Sequence, residues 1–229
     1  MKKKTVFYSE IAYIVGMITL AVGTAFMERA DFGISMVVAP AYLIHLKVSQ
    51  TLPFYTFGMS EYIFQAFLLI LLSVVMRRFK KSYLFSFVTA VLYGITLDLT
   101  MSLVSLLPFS GMWARVVYYV LGMALCSVGV AFFFKTYISP EAYELFVRDV
   151  SDKYSAGITK VKTVYDVVSC LIGVIMSFIF FGLWHFEGVK AGTILCALIN
   201  GFMIGKISAY LDKTFDFKDA LKLRKLFEK

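Results

Sequence analysis

Three carboxylates fall inside otherwise apolar stretches of this 229-residue chain: Glu61, Asp98 and Asp166. An ionised side chain at bilayer depth costs a few kcal/mol or more, so each is a candidate for holding a cation, a proton or an amine. Asp98 is the clearest case, about 22 Å from the inner end of its helix at 1.5 Å per residue. A hydrated carboxylate near the outer interface, or one paired with Arg29, is the competing account. Lys162 precedes Asp166 by four residues, so a helix-surface ion pair accounts equally for that acid. Arg29 stands just before Gly33-Ile34-Ser35, where the N-terminus of a short helix beside a guanidinium would suit an anionic group. A plain interfacial helix explains the same residues. Asn200, with Thr89, Thr96, Thr100 and Thr193, would add a polar seam, although such hydroxyls also bond within their own helices. The candidate solute-binding set is therefore Asp98, Arg29, Glu61, Asp166, Gly33, Ser35 and Asn200.

Other chemistries find no support. His45 and His185 have no cysteine or acidic cluster at metal-ligand spacing, and Cys126, Cys170 and Cys196 all sit in apolar runs as packing residues. There is no phosphate-binding loop, nucleophile elbow or zinc-binding His-Glu-x-x-His helix. The reading is not an enzyme, with no cofactor and no metal.

The elements that must position these residues are membrane helices. Hydrophobic residues make up 60% of the chain and charged ones 17%, with a mean hydropathy of +0.79. Those values exclude a soluble domain, a disordered chain and a disulfide-stapled scaffold. Six stretches reach spanning length: about 11–29, 54–76, 82–106, 116–134, 163–184 and 191–210. Phe32–Leu46 is shorter and contains Pro40, as a re-entrant or interfacial helix would. With six spans and both termini inside, 19 basic residues lie on the inner side and only Arg29, Lys47, Arg115 and Lys190 outside. The net charge of +8 thus reads as an orientation signal rather than a nucleic-acid footprint. Lys2-Lys3-Lys4 before Ile11–Met27 is read as the flank of a retained first helix, not a cleaved signal. Trp113 and Trp184 fall at the outer boundary.

The chain also repeats itself. Residues 16–26 and 122–132 are identical at six of eleven positions, at an offset of 106. Each copy is followed by a basic residue, then a proline-marked segment around Pro40 or Pro140, then a polar-headed helix at Glu61 or Asp166. The third helices match at Ala90 with Ala197 and Gly94 with Gly201. Three spans per copy is an odd number, so the second copy must run inverted, an arrangement that places sites between the halves near the midplane. Ser139 as N-cap and Pro140 in the first turn start the second short helix, whose stripe of Tyr143, Phe146, Val147, Val150 and Tyr154 lies on or dips into the inner face. Gly201 and Gly205 form a GxxxG for close helix contact.

The expectation is an all-α polytopic membrane protein, one membrane domain over residues 1–229. Six transmembrane helices form a 3+3 inverted repeat (about 11–107 and 116–211), each half with a short interfacial or re-entrant helix. Residues 212–229 are a basic cytoplasmic tail, either helical on the inner leaflet or simply solvated. Ala30-Asp31-Phe32-Gly33-Ile34-Ser35, the Gly94 to Asp98 helix, and Lys160-Val161-Lys162 to Asp166 before Gly192-Thr193 resemble the YczE/YitT-type bacterial integral membrane proteins over about 12–210. In this chain the proline sits at Pro40 rather than sooner after the glycine. The resemblance implies a bacterial inner-membrane protein and little chemistry. The preferred function is a small-solute secondary transporter or permease with its site between the repeats. The alternatives are a solute-binding membrane subunit of an ATP-driven transporter and a non-transport protein acting through protein partners. The partners are the bilayer, a small solute, and a second copy or partner transporter subunits; nucleic acid is not among them.

Overall fold

The computed structural model describes residues 4–108, 111–184, 186–221 and 224. It has eight helices and two short strands among them. Six helices are long and apolar enough to cross a membrane: α1 (Ser9–Ala30), α3 (Phe57–Met76), α4 (Lys81–Ser105), α5 (Gly111–Phe133), α7 (Ile158–Phe181) and α8 (Ala191–Thr214). Two shorter ones, α2 (Ala39–Val48) and α6 (Ala142–Tyr154), follow α1 and α5 respectively. The chain is an all-α polytopic membrane protein. The outward surface carries Ile14, Phe67, Ile70, Val74, Leu99, Ile179 and Leu198, while Glu61, Gln65, Ser86, Thr89, Ser127 and Asn200 are buried. Apolar outside and polar within is the distribution that a hydrocarbon solvent favours, because only the interior can satisfy a polar side chain.

The centre is the pair α1 and α5, which approach backbone to backbone. A Cβ placed on Gly16 would come within 3.0 Å of the Gly129 carbonyl oxygen, and one on Gly23 within 2.7 Å of the Gly122 oxygen. Small residues are what permit that approach in a membrane. Helix α4 packs on α1 and α3, and α8 on α5 and α7. The short helices bridge the long ones, α2 against α3 and α7, α6 against α7 and α3.

Strand β1 (Thr5–Tyr8) pairs in parallel with β2 (Phe215–Lys218), so both ends of the chain lie on one face. Phe7 packs its ring against Phe132, Phe215 and Phe217. Glu10 then accepts from the amides of Ala220 and Leu221 and from the Tyr137 hydroxyl. Of the tail, 212–214 finish α8, Phe215–Lys218 is extended and 219–221 are not helical. Residues 222–223 and 225–229 of the expected basic helix, and His185, lie outside the described residues.

Other boundaries move as well. Helix α7 stops at Phe181, and Trp184 beyond it has φ of +68° and is 81% exposed. Helix α6 begins at Ala142 with Glu141 at its N-cap, not Ser139. Ser139 and Pro140 instead offer their carbonyls to Thr89 and Ser86 of α4 (2.9 and 2.6 Å). Gly201 and Gly205 touch no helix, since a Cβ on either meets nothing within 4 Å.

Candidate functional site

A cavity of about 20 Å³, room for about one water, lies among the buried ends of both short helices. Ser35, Val37 and Val38 reach it from the segment leading into α2, and Glu141, Tyr143 and Glu144 from the start of α6. Its remaining walls are Leu20 and Thr24 of α1, Cys126 and Val130 of α5, Lys162 of α7 and Asn200 of α8. The segment 33–43 leaves the surface to get there: Gly33 takes φ of +103°, the Ile34 amide donates to Gly188, and Ile34, Met36, Ala39, Ala41 and Leu43 are core residues. Pro40 near the start of α2 costs no helical bond, because the first amides of a helix have no internal partner.

A polar network stands beside the cavity. The Gln65 side-chain amide donates to Glu141 at 2.9 Å and to Glu61 at 3.3 Å, while its oxygen accepts from the Ala142 amide at 3.0 Å. The Tyr143 hydroxyl donates to Glu61 at 2.9 Å. Thr24 and Tyr93 share a hydrogen bond at 3.0 Å, and the Ser127 hydroxyl donates to Asn200 at 2.9 Å. The network leaves one oxygen each on Glu61, Glu141 and Glu144 buried and without a hydrogen bond. Lys162 sits 2.8 Å from Asp166 as an ion pair. An unpaired buried acceptor costs about 1–3 kcal/mol, so three together are a standing invitation to a proton, a cation or a donor group. Among the described residues no three His, Cys, Asp or Glu side chains converge as a metal site.

Glu144 and Lys162 also line a second space, a vestibule of about 340 Å³. Phe133, Phe134, Thr136, Arg148, Ile158, Gly201, Ile204, Gly205 and Ser208 are among its walls, near the ends of α5, α7 and α8 that lie on the face of the β1–β2 pair. Arg148 and Thr136 belong in turn to a polar recess at that face, with Arg78, Lys80 and Lys135. The three spaces succeed one another from the face to the core through shared residues.

Of the residues singled out in the sequence, Ser35 and Asn200 line the cavity, and Glu61 and Asp166 join it through Tyr143 and Lys162. Asp98 does not. Its carboxylate accepts the Gly58 amide at 2.8 Å, satisfying one of the open donors at the start of α3, and it is not paired with Arg29. Arg29 donates to the Leu107 carbonyl. Gly33 packs against Thr193 and the Lys190 backbone, where a Cβ would come within 2.5 Å of the Thr193 hydroxyl oxygen. Sequence reasoning missed Glu141, Glu144, Gln65 and Arg148 as site residues. The available signal was the α6 stripe, which starts just after Pro140-Glu141 and has Glu144 in its first turn.

No curated protein and no solved structure matches the chain. One family model does, over residues 7–209, which takes in all six spans. The chain belongs to the DUF6198 family, a family of unknown function.

Proposed function

We propose that this protein is a small-solute secondary transporter or permease of a bacterial inner membrane, with both termini cytoplasmic and its site between two inverted halves. One observation carries the reading: the vestibule and the buried cavity share Glu144 and Lys162, so charged side chains stand where a path from one face reaches the centre. The inverted repeat is supported by the glycine contacts. Aligned copies pair Gly16 with Gly122 and Gly23 with Gly129, whereas the contacts join Gly16 to Gly129 and Gly23 to Gly122. That reciprocity is what a two-fold axis between α1 and α5 demands. The cross-packing of α2 on α7 and α6 on α3 follows the same exchange. Site geometry of this kind, half-helix ends converging at the repeat interface, recurs in transporters that rock one half against the other.

The test is flux. The purified chain in proteoliposomes is expected to exchange small metabolites, read by mass spectrometry of the lumen, and Glu144→Gln is expected to abolish the exchange. Ligand binding with no flux of any solute would replace this reading with a binding subunit that needs an ATP-driven partner. Neither binding nor flux would leave a non-transport role.

A further inference from the structure

Resting on that transport reading, we infer that the vestibule binds a small zwitterion, an ammonium and a carboxylate carried on a compact apolar body. Glu144 and Arg148 are four residues apart on α6 and both line the space, yet they form no ion pair. Opposite charges at that helical spacing ordinarily meet. Here they stand apart, and Glu144, 4% exposed, keeps one carboxylate oxygen without a hydrogen bond. Lys162, whose charge also acts on Glu144, is ion-paired with Asp166. Among the described residues lining the vestibule, Glu144 and Arg148 are the negative and the positive group outside any ion pair. A solute with net charge would leave a charge uncompensated away from water, whereas a zwitterion leaves none.

Size and lining agree with this. A space of about 340 Å³ stands at the small end of ligand pockets, which run about 300–1,000 Å³. Phe133, Phe134 and Ile204 give the apolar wall for the body of the solute. Gly201 and Gly205, beside Ile204 on one face of α8, leave that wall open, and since a Cβ on either meets nothing within 4 Å, their absent side chains define volume rather than packing. Arg148, shared with the recess at the face, would meet the carboxylate first, and Glu144 further in would take the ammonium.

The experiment is calorimetric titration of the full detergent-purified chain with L-leucine and L-alanine, beside 3-methylbutylamine and 4-methylpentanoate, which each lack one of leucine's charges. At least one amino acid is expected to bind. The half-charged analogues, and either amino acid with Glu144→Gln or Arg148→Gln, are expected to bind at least about tenfold more weakly, the worth of one charge-assisted hydrogen bond. Gly201→Leu, whose Cβ would enter open space, should abolish binding while thermal unfolding stays cooperative. Binding of the carboxylate alone as tightly as leucine would overturn the inference in favour of an anion site, and of the amine alone in favour of a cation site. Silence from all four probes overturns it too, with Ser208→Cys reactivity toward a small thiol reagent confirming that the vestibule is open. Amino-acid binding without flux in proteoliposomes would sink the transport reading and leave the zwitterion site standing. Flux of another solute without amino-acid binding would do the reverse.

Discussion

Gly23 of α1 and Gly122 of α5 meet backbone to backbone, each so close that a Cβ would come within 2.7 Å of the other's carbonyl oxygen. A similar contact joins Gly58 and Gly94 between α3 and α4. These helices cannot part by the width of a methyl group without losing their packing.

Gly23→Ala and Gly122→Ala are therefore expected to lower stability by about 1–3 kcal/mol each, the usual cost of overpacking. Gly201→Ala and Gly205→Ala, at glycines with open space around them, should raise it by up to about 1 kcal/mol through helix propensity. Thermal unfolding in one detergent compares the four. Equal effects at both pairs would contradict the packing described.

Asp98 accepts the Gly58 amide at the start of α3 and does not line the central cavity. Its loss in Asp98→Ala should cost about 1–3 kcal/mol, the worth of a hydrogen bond to a charged group, while Asp98→Asn keeps an acceptor and costs less. Solute affinity and flux per folded molecule are expected to stay at wild-type values in both. A selective loss of flux in Asp98→Asn would return this residue to the transport path.

Gln65 ties Glu61, Glu141 and the Ala142 amide together. Gln65→Leu removes partners from buried groups that each cost about 1–3 kcal/mol when unpaired, so it should destabilise more than Tyr143→Phe, which removes one bond to Glu61. Equilibrium unfolding of the two variants makes the comparison, and the opposite ranking would mean that the network is not held by Gln65.

The pairing of β1 with β2 requires reporters fused before β1 and after β2 to sit on one side of the membrane. In the proposed orientation that side is the cytoplasm. A reporter inserted after Arg78 should share it, and one after Ser49 should not. Fluorescent and phosphatase fusions read this out, and termini on opposite sides would break the six-span architecture.

Spans were legible because continuous hydropathy over about 20 residues has few other meanings. The short helices were legible as interruptions, from Pro40 and Pro140, but their depth was not. Acids after a proline serve equally to start a surface helix, so Glu141 and Glu144 carried no mark of burial. The Thr89 and Ser86 hydroxyls, donating to the Ser139 and Pro140 carbonyls, draw that turn inward. The Asp98 contact was hidden for the converse reason: a lone carboxylate in a span gives no sign in the sequence of its neighbour, the Gly58 amide. Gly201 and Gly205 have the spacing of a contact motif, and whether such a stripe packs or lines a space depends on which helix faces it.

Alternating exposure of the central cavity tests the account most directly. Ser35→Cys, in a chain whose Cys126, Cys170 and Cys196 are replaced by serine or alanine, places a thiol on the cavity wall. A membrane-impermeant thiol reagent applied to sealed vesicles of each orientation is expected to reach it from the face bearing the termini, through the vestibule. Reaction from the opposite face is expected once the halves rock, at a rate that changes when solute is added. Protection from both faces under all conditions would contradict the account and make the cavity a closed packing defect.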